Sequence, residues 1–178
     1  IRLFQAEHRR IYPSFRKLFL IYLDERMFGW PWRKEKRVSG EEVDLVQETC
    51  LPFFGDHDHI PTYIYGIYLH GTRERIGYCD LRCGMSEEIY YAGNIGYRID
   101  DAYRGHRYAQ KACSLLFTVA KQKHMHELLI TCSPENIASR LTLERLGGEL
   151  VETVPVPRCH WLYARGETWK NIYRFQLL

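Results

Sequence analysis

The residues with most scope for chemistry lie in one run, Ile95-Gly96-Tyr97-Arg98-Ile99-Asp100-Asp101-Ala102-Tyr103-Arg104-Gly105-His106-Arg107-Tyr108-Ala109, where an alternating stretch passes through a short loop into a helix-forming one. Such a junction suits anions. The first turn of a helix leaves backbone N–H groups without intrahelical acceptors and carries partial positive charge, so it holds a diphosphate without needing a basic side chain. Gly105 lets the backbone approach a ligand closely and Ala109 keeps the second turn low, while Arg104, His106, Arg107 and Lys111 add positive charge around the same cup. The Gly-Lys-Ser/Thr ending is absent, so this is not a phosphate loop of the NTPase type.

A second run, Ser133-Pro134-Glu135-Asn136-Ile137-Ala138-Ser139-Arg140-Leu141-Thr142-Leu143-Glu144-Arg145-Leu146-Gly147-Gly148, reads as a helix opened by Asn136 and closed by the two glycines. Together the runs resemble the GNAT superfamily of acyl-CoA-dependent N-acetyltransferases. Its signature, Arg/Gln-x-x-Gly-x-Gly/Ala, opens the helix after the family's fourth strand; Arg104 and Ala109 match it, with Gly105 and Tyr108 as common companions. The subgroup containing ribosomal-protein alanine N-acetyltransferases, with Gly-x-Ile-Gly-Tyr-x-Ile-Asp leading into Tyr-Arg-Gly-x-Gly-Tyr-Ala, is the most similar. The second run is similar to the family's Asn-x-x-Ser-x-x-x-Tyr-Glu-Lys-Leu-Gly-Phe block. The chain departs from these patterns at Arg107, where the central glycine belongs, at Leu143, where many relatives carry the tyrosine that protonates the leaving thiolate, and at Gly148, which replaces the phenylalanine.

The resemblance covers Arg75 to Val151 well and implies a single GNAT-like domain over 1–178 with its cofactor-binding core at about 75–151. It implies acetyl-CoA (coenzyme A) as cosubstrate, no metal, and direct attack on the thioester by a primary amine of a small molecule or a protein N-terminus. Main-chain groups of Tyr97 and Ile99 would pair with the pantetheine amides, making the cofactor an added strand. Arg104, Gly105, His106, Arg107, Tyr108 and Ala109 would hold the diphosphate, Asn136 would contact the pantetheine arm or order water, and Ser139 would lie near the thioester sulfur. An acyl-CoA and an amine acceptor are the expected partners, with a homodimer left open and neither nucleic acid nor membrane expected.

An attacking amine must lose a proton, which a carboxylate, histidine or water chain accepts. Which residue takes it is open among Glu88, the foremost carboxylate, Glu87 beside it, Asp80 on the neighbouring strand and the Asp56-His57-Asp58-His59 run before the sheet. Asp56-His57-Asp58-His59 reads as a solvated loop rather than a metal site, and adjacency of Cys159 and His160 does not make a thiol nucleophile. Trp30-Pro31-Trp32, Tyr63, Tyr65 and Trp161 are candidates for an acceptor pocket. Two other readings remain: a non-catalytic acyl-CoA sensor, motivated by Leu143 and Arg107, and nucleic-acid binding through Arg104, Arg107, Lys111, Lys121 and Lys123, which predicts a steep salt dependence.

These residues need positioning elements, and the pattern supplies an α+β order with a mixed, mostly antiparallel central sheet, which in the resembled family has splayed central strands flanked by helices. Helical spacing predicts a helix over about Pro13–Met27, and Ser39-Gly40-Glu41-Glu42 predicts a capped short helix through Val46 and Thr49. Strands are expected at Arg2–Phe4, Tyr63–Leu69, Arg75–Arg82, Glu88–Ile99, Leu128–Cys132, Leu150–Val154 and Ile172–Gln176, and helices from Tyr108 through Val119 and from Asn136 to Leu146.

Composition agrees with such a domain: 178 residues, 46% apolar and 26% charged, suit one globular core. A net charge of +3 gives little general attraction to polyanions, so anion binding must come from local geometry. The longest apolar stretches fall far short of the roughly 20 residues that cross a bilayer. The 6 cysteines form no CxxC pair and read as reduced core or strand residues, Cys79 and Cys83 lying too far apart on one strand to bridge. Ile1 to Gln5 shows no zones of an export signal, so a cytoplasmic location is expected.

Overall fold

A computed structural model describes residues 36–52 and 59–177. The expected strand at Arg2–Phe4, the helix over Pro13–Met27, Trp30, Trp32 and most of the Asp/His run lie outside the described residues. Two antiparallel sheets organise the rest. β1 (Arg37–Ser39), β2 (Val43–Leu51), β3 (Thr62–Leu69), β4 (Arg75–Arg82) and β5 (Ile95–Ile99) form a five-stranded sheet in chain order. β6 (Glu127–Cys132), β8 (Trp169–Gln176) and β7 (Glu149–Pro155) form a three-stranded sheet with β8 in the middle. Short helix α1 (Glu87–Ala92) leads into β5, α2 (Tyr108–Gln122) joins β5 to β6, α3 (Ile137–Arg145) joins β6 to β7, and α4 (Trp161–Ala164) lies between β7 and β8. This is the expected α+β, mostly antiparallel architecture.

Register aligns the apolar residues on one face. Leu45 sits opposite Ile67, Tyr65 opposite Cys79, Cys79 opposite Tyr97, and Leu81 opposite Ile95. That stripe receives Ala112, Cys113, Leu116, Val119 and Ala120 of α2, all buried at helical spacing, together with Leu143 of α3 and Leu128, Ile130, Tyr173 and Phe175 of the smaller sheet. One continuous core therefore ties both sheets to α2 and α3.

Two elements differ from expectation. The segment from Ser39 is not a helix: Gly40 N donates to Val43 O at 3.0 Å, closing a tight turn between β1 and β2. Val43, Val46 and Thr49 are β-branched, and pairing of Val43 with Leu69 and Leu45 with Ile67 buries the segment in the sheet. Local capping chemistry loses to tertiary burial here. Conversely, the expected strand from Glu88 begins as a helix. Ser86 Oγ accepts from Ile89 N at 3.1 Å, Glu87 and Glu88 occupy the positive end, and Gly93 at φ 77° ends α1 before β5 starts. Cys79, Cys113 and Cys132 are buried and all described cysteines are free, as expected, although Cys50 and Cys159 are exposed. No helix among the described residues is long and apolar enough to cross a membrane.

Candidate active site

The site grows from the place where the two sheets meet. β5 and β6 share no ladder, and Asn94 joins their roots. Its N–H donates to Leu129 O at 2.6 Å, and its side-chain Oδ1 accepts from Leu129 N at 2.8 Å. Its Nδ2 donates to Arg82 O at 3.0 Å and Gly84 O at 2.8 Å, while its own carbonyl accepts from Arg82 N at 2.8 Å. This fully buried carboxamide imitates a strand partner on both sides. Gly93 beside it is needed for contact, because a Cβ there would lie 3.1 Å from Thr131 N.

Beyond Asn94 the strands part. Asp100 N donates to Ile76 O and Asn94 O accepts from Arg82 N, so the even positions of β5 face β4. Antiparallel alternation then turns the main-chain groups of Ile95, Tyr97 and Ile99 to the outer edge. Ile99 O on that edge is taken by Arg104 Nε at 3.2 Å.

The loop after β5 forms a cup. A 3₁₀ turn over Asp101–Tyr103 is followed by Gly105 at φ 88° and Arg107 at φ 58°, both left-handed. Among the described residues, no backbone acceptor takes an amide proton from Gly105 through Gln110; the first helical bond is Lys111 N to Arg107 O at 3.2 Å, and no side chain caps α2. A Cβ at Gly105 would meet nothing within 4 Å, so the rim is open. Arg104 braces the loop through Asp101 at 2.7 Å as well as through Ile99 O. His106 stacks on Tyr108 with centroids 5.3 Å apart, and Lys111 Nζ donates to His106 O at 3.2 Å while pairing with Glu42. Ala109 is half-buried against the core.

On the same side, Tyr97 reaches from β5 to α3, where its hydroxyl lies 2.7 Å from Ser139 Oγ. Burial pushes the Tyr97 phenol well above its ordinary range, and Cys113 adds to the shift. Ser139 stands in the first turn of α3, where its N–H donates to Asn136 Oδ1 at 3.1 Å. Asn136 is thus the helix cap. Leu143, one turn on, is fully buried. Burial also raises the Cys132 thiol, partly opposed by Lys170 and by the Ser139 hydroxyl.

The expected acid–base candidates lie on β4 and α1. Asp80 pairs with Arg82 at 2.8 Å, and both side chains crowd Gly96, where a Cβ would lie 2.6 Å from Asp80 Oδ1. Arg82 also donates to Ala92 O at 2.9 Å and Gly93 O at 2.7 Å, fastening the end of α1. Glu88 sits half-buried on α1 rather than on a strand, and its carbonyl faces His160 Nε2 at 3.4 Å. His160 Nδ1 accepts from Leu162 N at 3.2 Å, and desolvation lowers the ring's proton affinity. With both nitrogens engaged, His160 is a structural neutral imidazole that tethers α4 to α1, a link that sequence separation hides. Tyr65 is buried in the core and does not line a pocket, the half-buried Tyr63 carries Lys123 over its ring at 3.3 Å, and Trp161 packs beside Ile60 and Ile89. Among the described residues no group of His, Cys, Asp and Glu could hold a metal.

No curated protein matches the sequence. Solved structures share its fold. RimL, a ribosomal L7/L12 alpha-N-protein acetyltransferase, superposes with TM-score 0.57 at 14% identity, covering 81% of this chain and 96% of that one. A putative ribosomal-protein-serine acetyltransferase from Vibrio cholerae gives 0.58 at 16% identity, covering 79% and 97%. A probable GNAT-family acetyltransferase from Chromobacterium violaceum gives 0.57 at 16%, covering 84% and 92%. A sequence profile of the acetyltransferase (GNAT) domain matches residues 12–149, a span that contains the Asn94 pivot, the cup of free amides and the Tyr97–Ser139 contact, and on that match the chain belongs to the GNAT acetyltransferase family.

Proposed function

We propose that this chain transfers an acetyl group from acetyl-CoA to a primary amine by direct attack. The observation that carries the reading is the run of amides from Gly105 through Gln110 that lack backbone acceptors, placed at the end of the outward-facing edge of β5. The amides supply donors for a diphosphate, with Arg107 and Lys111 as neighbouring charges. Tyr97 N–H and C=O and Ile99 N–H are the main-chain groups assigned to the pantetheine amides, while Arg104, occupied by Ile99 O and Asp101, shapes the cup. His106 and Tyr108 form its aromatic wall, and Gly105 and Ala109 keep it open.

Acetyl-CoA, when bound, supplies the activated thioester; the chain orients it and manages protons. Main-chain donors near Tyr97 polarise the carbonyl as charge develops on oxygen. Ser139 faces the leaving sulfur, Asn136 holds Ser139 in place, and Glu88 accepts the amine proton. The acceptor is the amine of a small molecule or a protein N-terminus, and fold likeness to enzymes named for ribosomal proteins supports the second. A cytoplasmic location belongs to the same reading.

Calorimetry with CoA on the wild type and on Gly105→Glu, combined with thiol-release assays on an amine and N-terminal peptide panel, tests the proposal. Tight binding that the carboxylate abolishes, with turnover on at least one acceptor, is expected. Equal CoA affinity in both proteins would remove the assigned cup, and tight binding without turnover on the whole panel would make the domain a sensor instead.

A further inference from the structure

In place of the family's tyrosine this chain has Leu143, which lies in the core with no proton to offer. Hydroxyls nonetheless meet nearby, because Tyr97 crosses from β5 to Ser139 on α3. We infer that Tyr97 is the positioning residue for Ser139, its phenolic O–H donating to Ser139 Oγ so that the Ser139 O–H points at the sulfur that departs in acetyl transfer. This rests on the proposed function and names how the same site manages its leaving group.

Either oxygen can donate across 2.7 Å, so the surroundings decide the direction. Burial disfavours the phenolate, chiefly by desolvation, and Tyr97 keeps its proton at ordinary pH. A phenol that stays protonated always has a proton to give, and giving it to Ser139 Oγ, 2.7 Å away, is the arrangement that frees the serine proton. Once Ser139 Oγ accepts from it, the serine proton turns away from Tyr97. The serine's backbone is held in the first turn of α3, its N–H donating to Asn136 Oδ1.

The pair does not act as a net acid, since a serine hydroxyl and a buried phenol are both weaker acids than a thiol. What it offers is a neutral hydrogen bond, stronger to a thiolate than to a thioester sulfur. In the balanced step, the amine lone pair forms the C–N bond and the C–S bond breaks. Sulfur leaves with the bonding electron pair and accepts from Ser139 Oγ–H. The nitrogen proton goes to the amine-side base, and solvent later protonates the thiolate.

The test compares wild type, Tyr97→Phe, Ser139→Ala and the double variant in two ways: CoA and acetyl-CoA affinity against pH by calorimetry, and steady-state kinetics. Donors that favour the thiolate lower the bound thiol's pKa, so wild-type affinity for CoA should rise as pH approaches the free thiol's value, while acetyl-CoA affinity stays level. Tyr97→Phe should lose much of that rise and show roughly tenfold lower kcat with unchanged acetyl-CoA KM. The double variant should be no worse than Ser139→Ala, because Tyr97 acts through Ser139. A purely packing role would move melting temperature or both affinities together and leave the pH-dependent rise intact. Retention of the rise and of kcat in Tyr97→Phe, or losses that multiply in the double variant, would overturn the inference alone. A wild type that binds no CoA would overturn the proposed function and this inference with it.

Discussion

Arg107 holds the left-handed backbone at the mouth of α2, φ 58° and ψ 22°, where the resembled signature has glycine. A side chain in that region crowds its own backbone, at a cost of about 1–2 kcal/mol. The strain shows why glycine belongs there: the turn that aims the following amides into the cup needs a positive φ. Arg107 accepts the strain and adds an exposed charge. Arg107→Gly should therefore raise the melting temperature by about 2–4 °C, read by scanning calorimetry. It should also weaken CoA binding roughly threefold at low salt, a difference that closes as salt rises. A lower melting temperature would mean that the arginine side chain stabilises the loop more than its backbone strains it.

At the scale of elements, α3 carries Ser139 in its first turn, and its cap decides how firmly that turn is held. The helix is short, with exposed Ile137 and Leu141 and only Leu143 buried, so packing contributes little along its length. Asn136 Oδ1 takes the Ser139 amide, so removing the cap loosens the turn that carries the hydroxyl. Asn136→Ala should cost about 1 kcal/mol and lower kcat, whereas Asn136→Asp, which keeps the cap, should restore both. Denaturant titration and kinetics on the two variants check this. If Asn136→Asp recovers stability without turnover, the carboxamide touches the pantetheine arm directly.

Over the whole molecule, the two sheets share one core but no ladder, and between β5 and β6 the main-chain link runs through Asn94 and Leu129. The Asn94 carboxamide satisfies Leu129, Arg82 and Gly84 while fully buried. Asn94→Leu preserves volume but leaves buried partners unmet, each worth roughly 1–3 kcal/mol. A total loss of about 3 kcal/mol, or about 10 °C in melting temperature, is expected by scanning calorimetry. CoA affinity should fall as well, because the angle between β5 and β6 is then no longer held. A loss under about 1 kcal/mol would show that the shared core around α2, rather than Asn94, holds the sheets together.

The chain order of the residues that bear on function was legible without coordinates. Alternation at Tyr63–Leu69 and Arg75–Arg82, the helical stripe of α2 and the runs around Arg104 and Asn136 are local signals, and local signals survive in one dimension. Ser86 with Glu87, Glu88 and Gly93 was an equally local mark of α1, masked by the period-two alternation that runs through Tyr91, Gly93, Ile95, Tyr97 and Ile99. Other features needed the fold. Val43–Leu51 became a strand through partners on β3, Asn94 became a pivot because Leu129 lies beside it, and Tyr97 met Ser139 because α2 carries the chain from β5 across to β6. Periodicity and capping act between near neighbours, whereas burial and hydrogen-bond completion act between residues that only folding brings together.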